Sequence, residues 1–111
     1  MYALSTECLS RKADLVLIGL DGVNHILFQD VSPRVGYSTW WCNQAGQIYE
    51  TDIQITPGFS DTYVTGIALH ELGHSLGLVH TSTPGAVMNP NVYGYTRLHQ
   101  DDINELSALY P

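Results

Sequence analysis

The segment His70-Glu71-Leu72-Gly73-His74-Ser75-Leu76-Gly77-Leu78-Val79-His80 constrains this chain more than any other feature of its sequence. On a helix, residues four apart lie one above the other, so His70 and His74 direct their imidazoles at a common point. A catalytic zinc ion takes three protein ligands and keeps a fourth position for water, so a third donor has to come from outside the helix. Gly77 is able to adopt the left-handed conformation that ends a helix and turns the chain, which brings His80 back over the same point. Glu71, beside the first histidine, is positioned to take a proton from a metal-activated water and pass it to a leaving amine. A His-Glu-x-x-His element alone is a weak signal, because an amphipathic helix can carry such residues on its surface. The spacing of Gly77, His80 and then Met88 makes the pattern specific, with Met88 at the distance of a turn beneath the metal.

The rest of the chain is organised around that helix. With 111 residues, a hydrophobic fraction of 44% and ten glycines, the sequence fits a single globular domain spanning residues 1–111. Asp14 to Leu20 reads as a buried strand closed by Asp21-Gly22, and Ile26 to Gln29 as a second. Val35 to Cys42 is rich in strand-favouring residues, Asn43 to Gly46 reads as a turn, and Gln47 to Thr56 alternates like a strand with one buried face. Pro57-Gly58 closes the hairpin. From Ser60 the period changes: Ser60 or Asp61 caps a helix to about Leu76, with Leu69, Leu72 and Leu76 along one face. A last helix is expected from about His99 to Tyr110, with Asp101 and Asp102 in its first turn, where the helix dipole alone accounts for them. Strands followed by helices indicate an α+β domain.

Four Lys/Arg against eleven Asp/Glu give a formal charge of −7, which disfavours nucleic acid and anionic membrane surfaces as partners. The apolar run Leu15 to Leu20 is far shorter than the ~20 residues that span a bilayer, and no secretory signal is visible in Met1 to Ser10. The two cysteines, Cys8 and Cys42, permit one disulfide. Cys8 reads as a free thiol or as the partner of Cys42 rather than as an inhibitory metal ligand, and His25 reads as a surface histidine.

On His70 to His80 and Met88 the sequence resembles the metzincins, and within them the matrixins, especially short bacterial-type members. Ala86-Val87-Met88-Asn89-Pro90 looks like the family's Met-turn. Gln100-Asp101-Asp102-Ile103 with Ala108-Leu109-Tyr110 looks like its C-terminal helix, and Gly36 to Ile55 like its edge strand, connecting loop and next strand. The resemblance covers about residues 14 to 110 and leaves 1–13 unmatched. It implies a zincin-like fold: a small mixed twisted sheet with an active-site helix and a C-terminal helix. It also implies a zinc endopeptidase with His70, His74 and His80 as ligands, Glu71 as catalytic base and Met88 as the floor. Peptide or protein substrate would lie extended along Val35 to Trp41, with a pocket wall from Pro90, Asn91, Val92 and Tyr93. Asp102 would tie the last helix to the Met-turn, acidic loops would hold structural calcium, and the protein would be secreted.

Departures from the family pattern shape the expectations too. A matrixin domain normally begins with a strand, a long helix and a second strand before the segment that corresponds to Asp14 to Leu20, so the chain reads as shortened at its N-terminus. Thr81 stands where matrixins usually have serine, and His99 replaces the usual serine cap of the last helix, which weakens that cap. Two other functions stay open at this level. One is a zinc-binding but catalytically silent module that binds a peptide or a partner. The other is an unrelated fold in which Glu105 on the later helix supplies the third ligand.

Overall fold

The computed structural model describes residues 22–45, 47–91 and 94–111. The expected strand at Asp14 to Leu20 therefore lies outside the described residues. Within them the chain forms β1 (His25–Phe28), β2 (Gly36–Cys42), β3 (Ile48–Ile55), α1 (Asp61–Ser75) and α2 (Gln100–Leu109). The strand order is β1-β3-β2, with β1 parallel to β3 and β2 antiparallel to it. This is the mixed α+β arrangement expected from the sequence. Among the described residues β2 is an edge strand, which leaves one row of its backbone groups outside the ladder.

The β2–β3 hairpin forms because Asn43 organises its turn. Its Oδ1 accepts from the backbone N–H groups of Ala45 and Gln47, each at 3.0 Å, the local bonding that makes Asn a turn residue. The expectation that β3 buries a single face is corrected. Ile48, Glu50 and the whole run Asp52–Ile55 are buried, and only Tyr49 is exposed. As the central strand, β3 has Ile53 and Ile55 packed on Ile67 of α1, while its polar side chains capture the chain entering and leaving β1. Glu50 accepts from the N–H of Gly22, Asp52 Oδ1 from the N–H of His25 at 3.1 Å, and the Gln54 amide donates to Gln29 Oε1 at 2.7 Å. A buried polar row is tolerated because hydrogen bonds replace its lost hydration.

Helix α1 begins where Ser60 Oγ accepts from the N–H of Tyr63 at 3.3 Å. It ends in a Schellman motif: Gly77 has φ +98°, its N–H donates to His74 O at 2.9 Å, and the N–H of Leu78 reaches back to Gly73 O at 2.9 Å. The helix buries Gly66, Ile67, His70, Glu71 and Gly73 rather than the leucine face expected for it. Leu72 and Leu76 are 39% and 42% exposed. With Leu69, Leu98, Leu106 and Tyr110 they border an apolar cavity of about 530 Å³. The face holding Ile67 and Glu71 packs on the strands instead, because that is where the side chains of β2 and β3 lie.

The cap of α2 also differs from expectation. His99 Nδ1 accepts from the N–H of Asp101 at 3.0 Å, and Asp102 Oδ2 accepts from the N–H of His99 at 2.9 Å. A ring nitrogen serves as well as a serine hydroxyl here, since all the position requires is an acceptor within reach of the first-turn N–H groups.

Candidate metal centre

Three imidazoles meet at the C-terminal end of α1. His80 Nε2 lies 3.2 Å from His70 Nε2 and 3.1 Å from His74 Nε2. The two helical histidines are oriented from behind. His70 Nδ1 is 2.6 Å from Val87 O, and His74 Nδ1 is 2.9 Å from Leu78 O. A carbonyl only accepts, so both Nδ1 atoms carry the hydrogen and both Nε2 atoms present lone pairs toward His80. A single N–H on His80 Nε2 satisfies one of these neighbours and leaves the other lone pair facing a nitrogen. A cation at the centre satisfies all three. Nitrogens at ~2.0–2.1 Å from a tetrahedral zinc stand about 3.3 Å apart, close to the separations found, so this donor set fits zinc. Among the described residues no other group of three or more His, Cys, Asp or Glu side chains is close enough to hold a metal.

Burial is graded across the triad: His70 is buried, His74 half-buried and His80 exposed. Burial holds the His70 imidazole below its ordinary range, and His80 lowers it further; the Val87 carbonyl and Asp102 oppose this. The net direction favours the neutral ring that a metal requires.

The floor beneath is Met88, fully buried with Leu78 and Val87 and flanked by Leu69, Leu106 and Leu109. A Cβ on Gly73 would collide with the Met88 sulfur, so glycine at that position lets the helix settle onto the turn. The turn itself is held by Asp102, 2% exposed, whose Oδ2 and Oδ1 accept from the N–H groups of Val87 at 2.8 Å and Met88 at 3.2 Å. Helix-dipole complementarity is therefore not the whole role of Asp102. It joins α2 to the turn whose Val87 carbonyl orients His70. Asp101 serves the neighbouring loop: its Oδ2 accepts from the hydroxyls of Thr81 and Thr83, each at 3.0 Å. The Thr81 hydroxyl thus ties the segment after His80 to α2.

Glu71, 4% exposed, borders the same cleft of about 770 Å³ as the three histidines, with Gly36, Tyr37 and Ser38 of β2 on one side and Val79 and Pro90 elsewhere on its wall. Of the expected pocket residues, Pro90 lines the cleft; Asn91 is exposed, its N–H held by Asn89 Oδ1 at 2.9 Å. Val92 and Tyr93 lie outside the described residues. Trp40 stacks beside His74 with ring centroids 6.1 Å apart, a support that sequence pattern did not reveal, because the facing of a short aromatic-rich strand depends on its register. Glu105 stays outside the triad, and burial with Asp101 and Asp102 nearby raises its carboxyl. His25 is half-buried at the surface and belongs to no group of three metal-ligating side chains among the described residues. Cys42 is disulfide-bonded; Cys8 lies outside the described residues.

A helix carrying two histidines and a glutamate, a third histidine beyond a glycine turn, and a buried methionine below define the metzincin class of metallopeptidase folds. The chain belongs to the matrixin family, whose model matches residues 11–111. It is similar to the interstitial collagenase of Sus scrofa, 46% identical over 65 residues, covering 56% of this chain and 14% of that protein. Similarity to interstitial collagenase A of Mus musculus is 39% over 97 residues, covering 81% of this chain and 19% of that protein. Against the neutrophil collagenase of Homo sapiens it is 51% over 49 residues, 40% of this chain and 10% of that protein. The chain thus spans a small part of the length of these relatives. No solved structure matches it. No helix among the described residues is long and apolar enough to cross a membrane.

Proposed function

We propose that residues 1–111 form one catalytic domain that hydrolyses internal peptide bonds of peptides or proteins, with His70, His74 and His80 holding a zinc ion. The observation that carries this reading is the convergence of three Nε2 atoms at 3.1–3.2 Å in the cleft that Glu71 also lines. When bound there, zinc supplies Lewis-acid polarisation of a carbonyl and an acidified water at neutral pH. Glu71 would take a proton from the attacking water and return it to the departing amine, so no protein nucleophile would be needed. The open edge of β2 offers backbone donors and acceptors to an extended peptide, which would lie antiparallel to it. Pro90 lines the cleft and would form part of the wall of the side-chain pocket. The collagenase relatives support a secreted setting and proteinaceous substrates.

Zinc content and cleavage of a quenched fluorogenic peptide library, measured for the wild type and Glu71→Ala, test this reading. One zinc per chain in both with cleavage only by the wild type is expected. Zinc without cleavage in either supports a silent binding module, and no zinc in the wild type overturns the assignment.

A further inference from the structure

Strand β2 and helix α1 run alongside each other in matched steps. A Cβ on Gly36 would meet Ile67 and Glu71, Ser38 meets Glu71, and Trp40 stacks beside His74. Even-numbered residues of one strand therefore face successive turns of the helix that carries the site, as the twofold period of a strand and the i, i+4, i+7 face of a helix allow. At the middle step the contact is polar and closed to solvent. Ser38 is 4% exposed and Glu71 is 4% exposed. Ser38 Oγ lies 2.8 Å from Glu71 Oε1 and 3.0 Å from the Glu71 backbone oxygen. Both partners accept, so the hydroxyl donates its one hydrogen between them, and the side chain is held to its own helix turn.

Building on the proposed peptidase reading, we infer that Ser38 is a positioning residue for the general base: its hydroxyl fixes Glu71 Oε1 and so sets the orientation in which the carboxylate takes and returns the proton. Gly36 completes the arrangement from the other side. A Cβ there would come within 3.0 Å of Glu71 Cγ and 3.1 Å of Oε2, so the absence of a side chain keeps room for the carboxylate in this orientation. A glutamate has three rotatable bonds, and a base displaced by an ångström loses up to about a hundredfold in rate. One buried hydroxyl that removes this freedom acts on the chemical step. It has no reason to change substrate binding, because the peptide would engage the backbone of β2 and the opposite wall of the cleft.

The test measures kcat and KM for one fluorogenic peptide, together with zinc content and thermal midpoint, for the full chain and its Ser38→Ala and Ser38→Thr variants. Ser38→Ala is expected to lower kcat about 10- to 100-fold with KM and zinc content unchanged. Ser38→Thr, which keeps the hydroxyl, recovers most of the rate. A Ser38→Ala enzyme with kcat within about twofold of wild type overturns the inference while leaving the peptidase reading intact. So does a folded, zinc-loaded Ser38→Thr variant as slow as the alanine variant. A wild-type chain that cleaves nothing overturns the peptidase reading itself, and this inference with it.

Discussion

Replacing Asp102 by asparagine changes one buried carboxylate oxygen into an amide nitrogen and tests how α2 supports the histidine cluster 22 to 32 residues earlier in sequence. The carboxylate accepts from three backbone N–H groups, Val87 at 2.8 Å, Met88 at 3.2 Å and His99 at 2.9 Å. Two of these share Oδ2, so the least costly asparagine rotamer puts its oxygen there and its amide nitrogen against the N–H of Met88. One buried donor is then left without an acceptor, at about 1–3 kcal/mol, and the two retained bonds lose their charge assistance. The sum is about 2–4 kcal/mol, and at about 4–8 °C per kcal/mol for a domain of this size the thermal midpoint should fall by roughly 8–32 °C. Displacing Val87 also loosens the carbonyl that holds His70 Nδ1, and loss of such an orienting partner costs about 10- to 100-fold in metal affinity. Thermal unfolding and competitive zinc titration measure the two effects. Asp101→Asn is the control: its bonds come from threonine hydroxyls that an amide oxygen still accepts, and a change below about 1 kcal/mol is expected. An Asp102→Asn chain with a midpoint within about 2 °C of wild type and zinc affinity within about twofold refutes the coupling of α2 to the metal centre.

Other perturbations address separate parts of the architecture. Gly73→Ala forces a methyl against the Met88 sulfur, so it should destabilise by about 1–3 kcal/mol in chemical denaturation, although alanine is the better helix former; a more stable variant refutes the close approach. His80→Ala should abolish stoichiometric zinc binding, whereas retained zinc that is lost on further removal of Glu105 would restore the third-ligand role considered for that residue. The His70 imidazole is held below its ordinary range near 6.5. As pH falls, the unfolded chain therefore binds this proton first, and the metal-free fold loses stability from about pH 6.5 downward with no contribution from this group above it. A metal-free denaturation midpoint that rises between pH 7 and pH 5 contradicts that sign.

The spacing of His70, His74, Gly77 and His80 made the site legible because its information is local. Helix period puts two rings on one face, and a glycine with φ +98° returns the third within a few residues. The same locality made the Ser60 cap and the Asn43 turn readable. The leucines of α1 misled because a hydrophobic repeat says that a face is apolar without saying what covers it. The helix instead turns Ile67 and Glu71 to the sheet. In β3, alternation suggested one buried face, yet the polar residues at 50, 52 and 54 are buried as well, bonded to groups more than twenty residues earlier in the chain.

By itself the sequence determined the family and the spacing of the proposed donor set and base, since each depends on residues adjacent or one helical turn apart. Only the tertiary structure decided what holds them in place: Asp102 beneath the Met-turn, Asp101 under Thr81 and Thr83, Trp40 against His74, and Ser38 on Glu71. Those partners lie 14 to 34 residues apart in sequence and are set by strand register and helix packing. A hydrogen bond across such a separation has no local periodicity to announce it, and exists only once the chain has closed on itself.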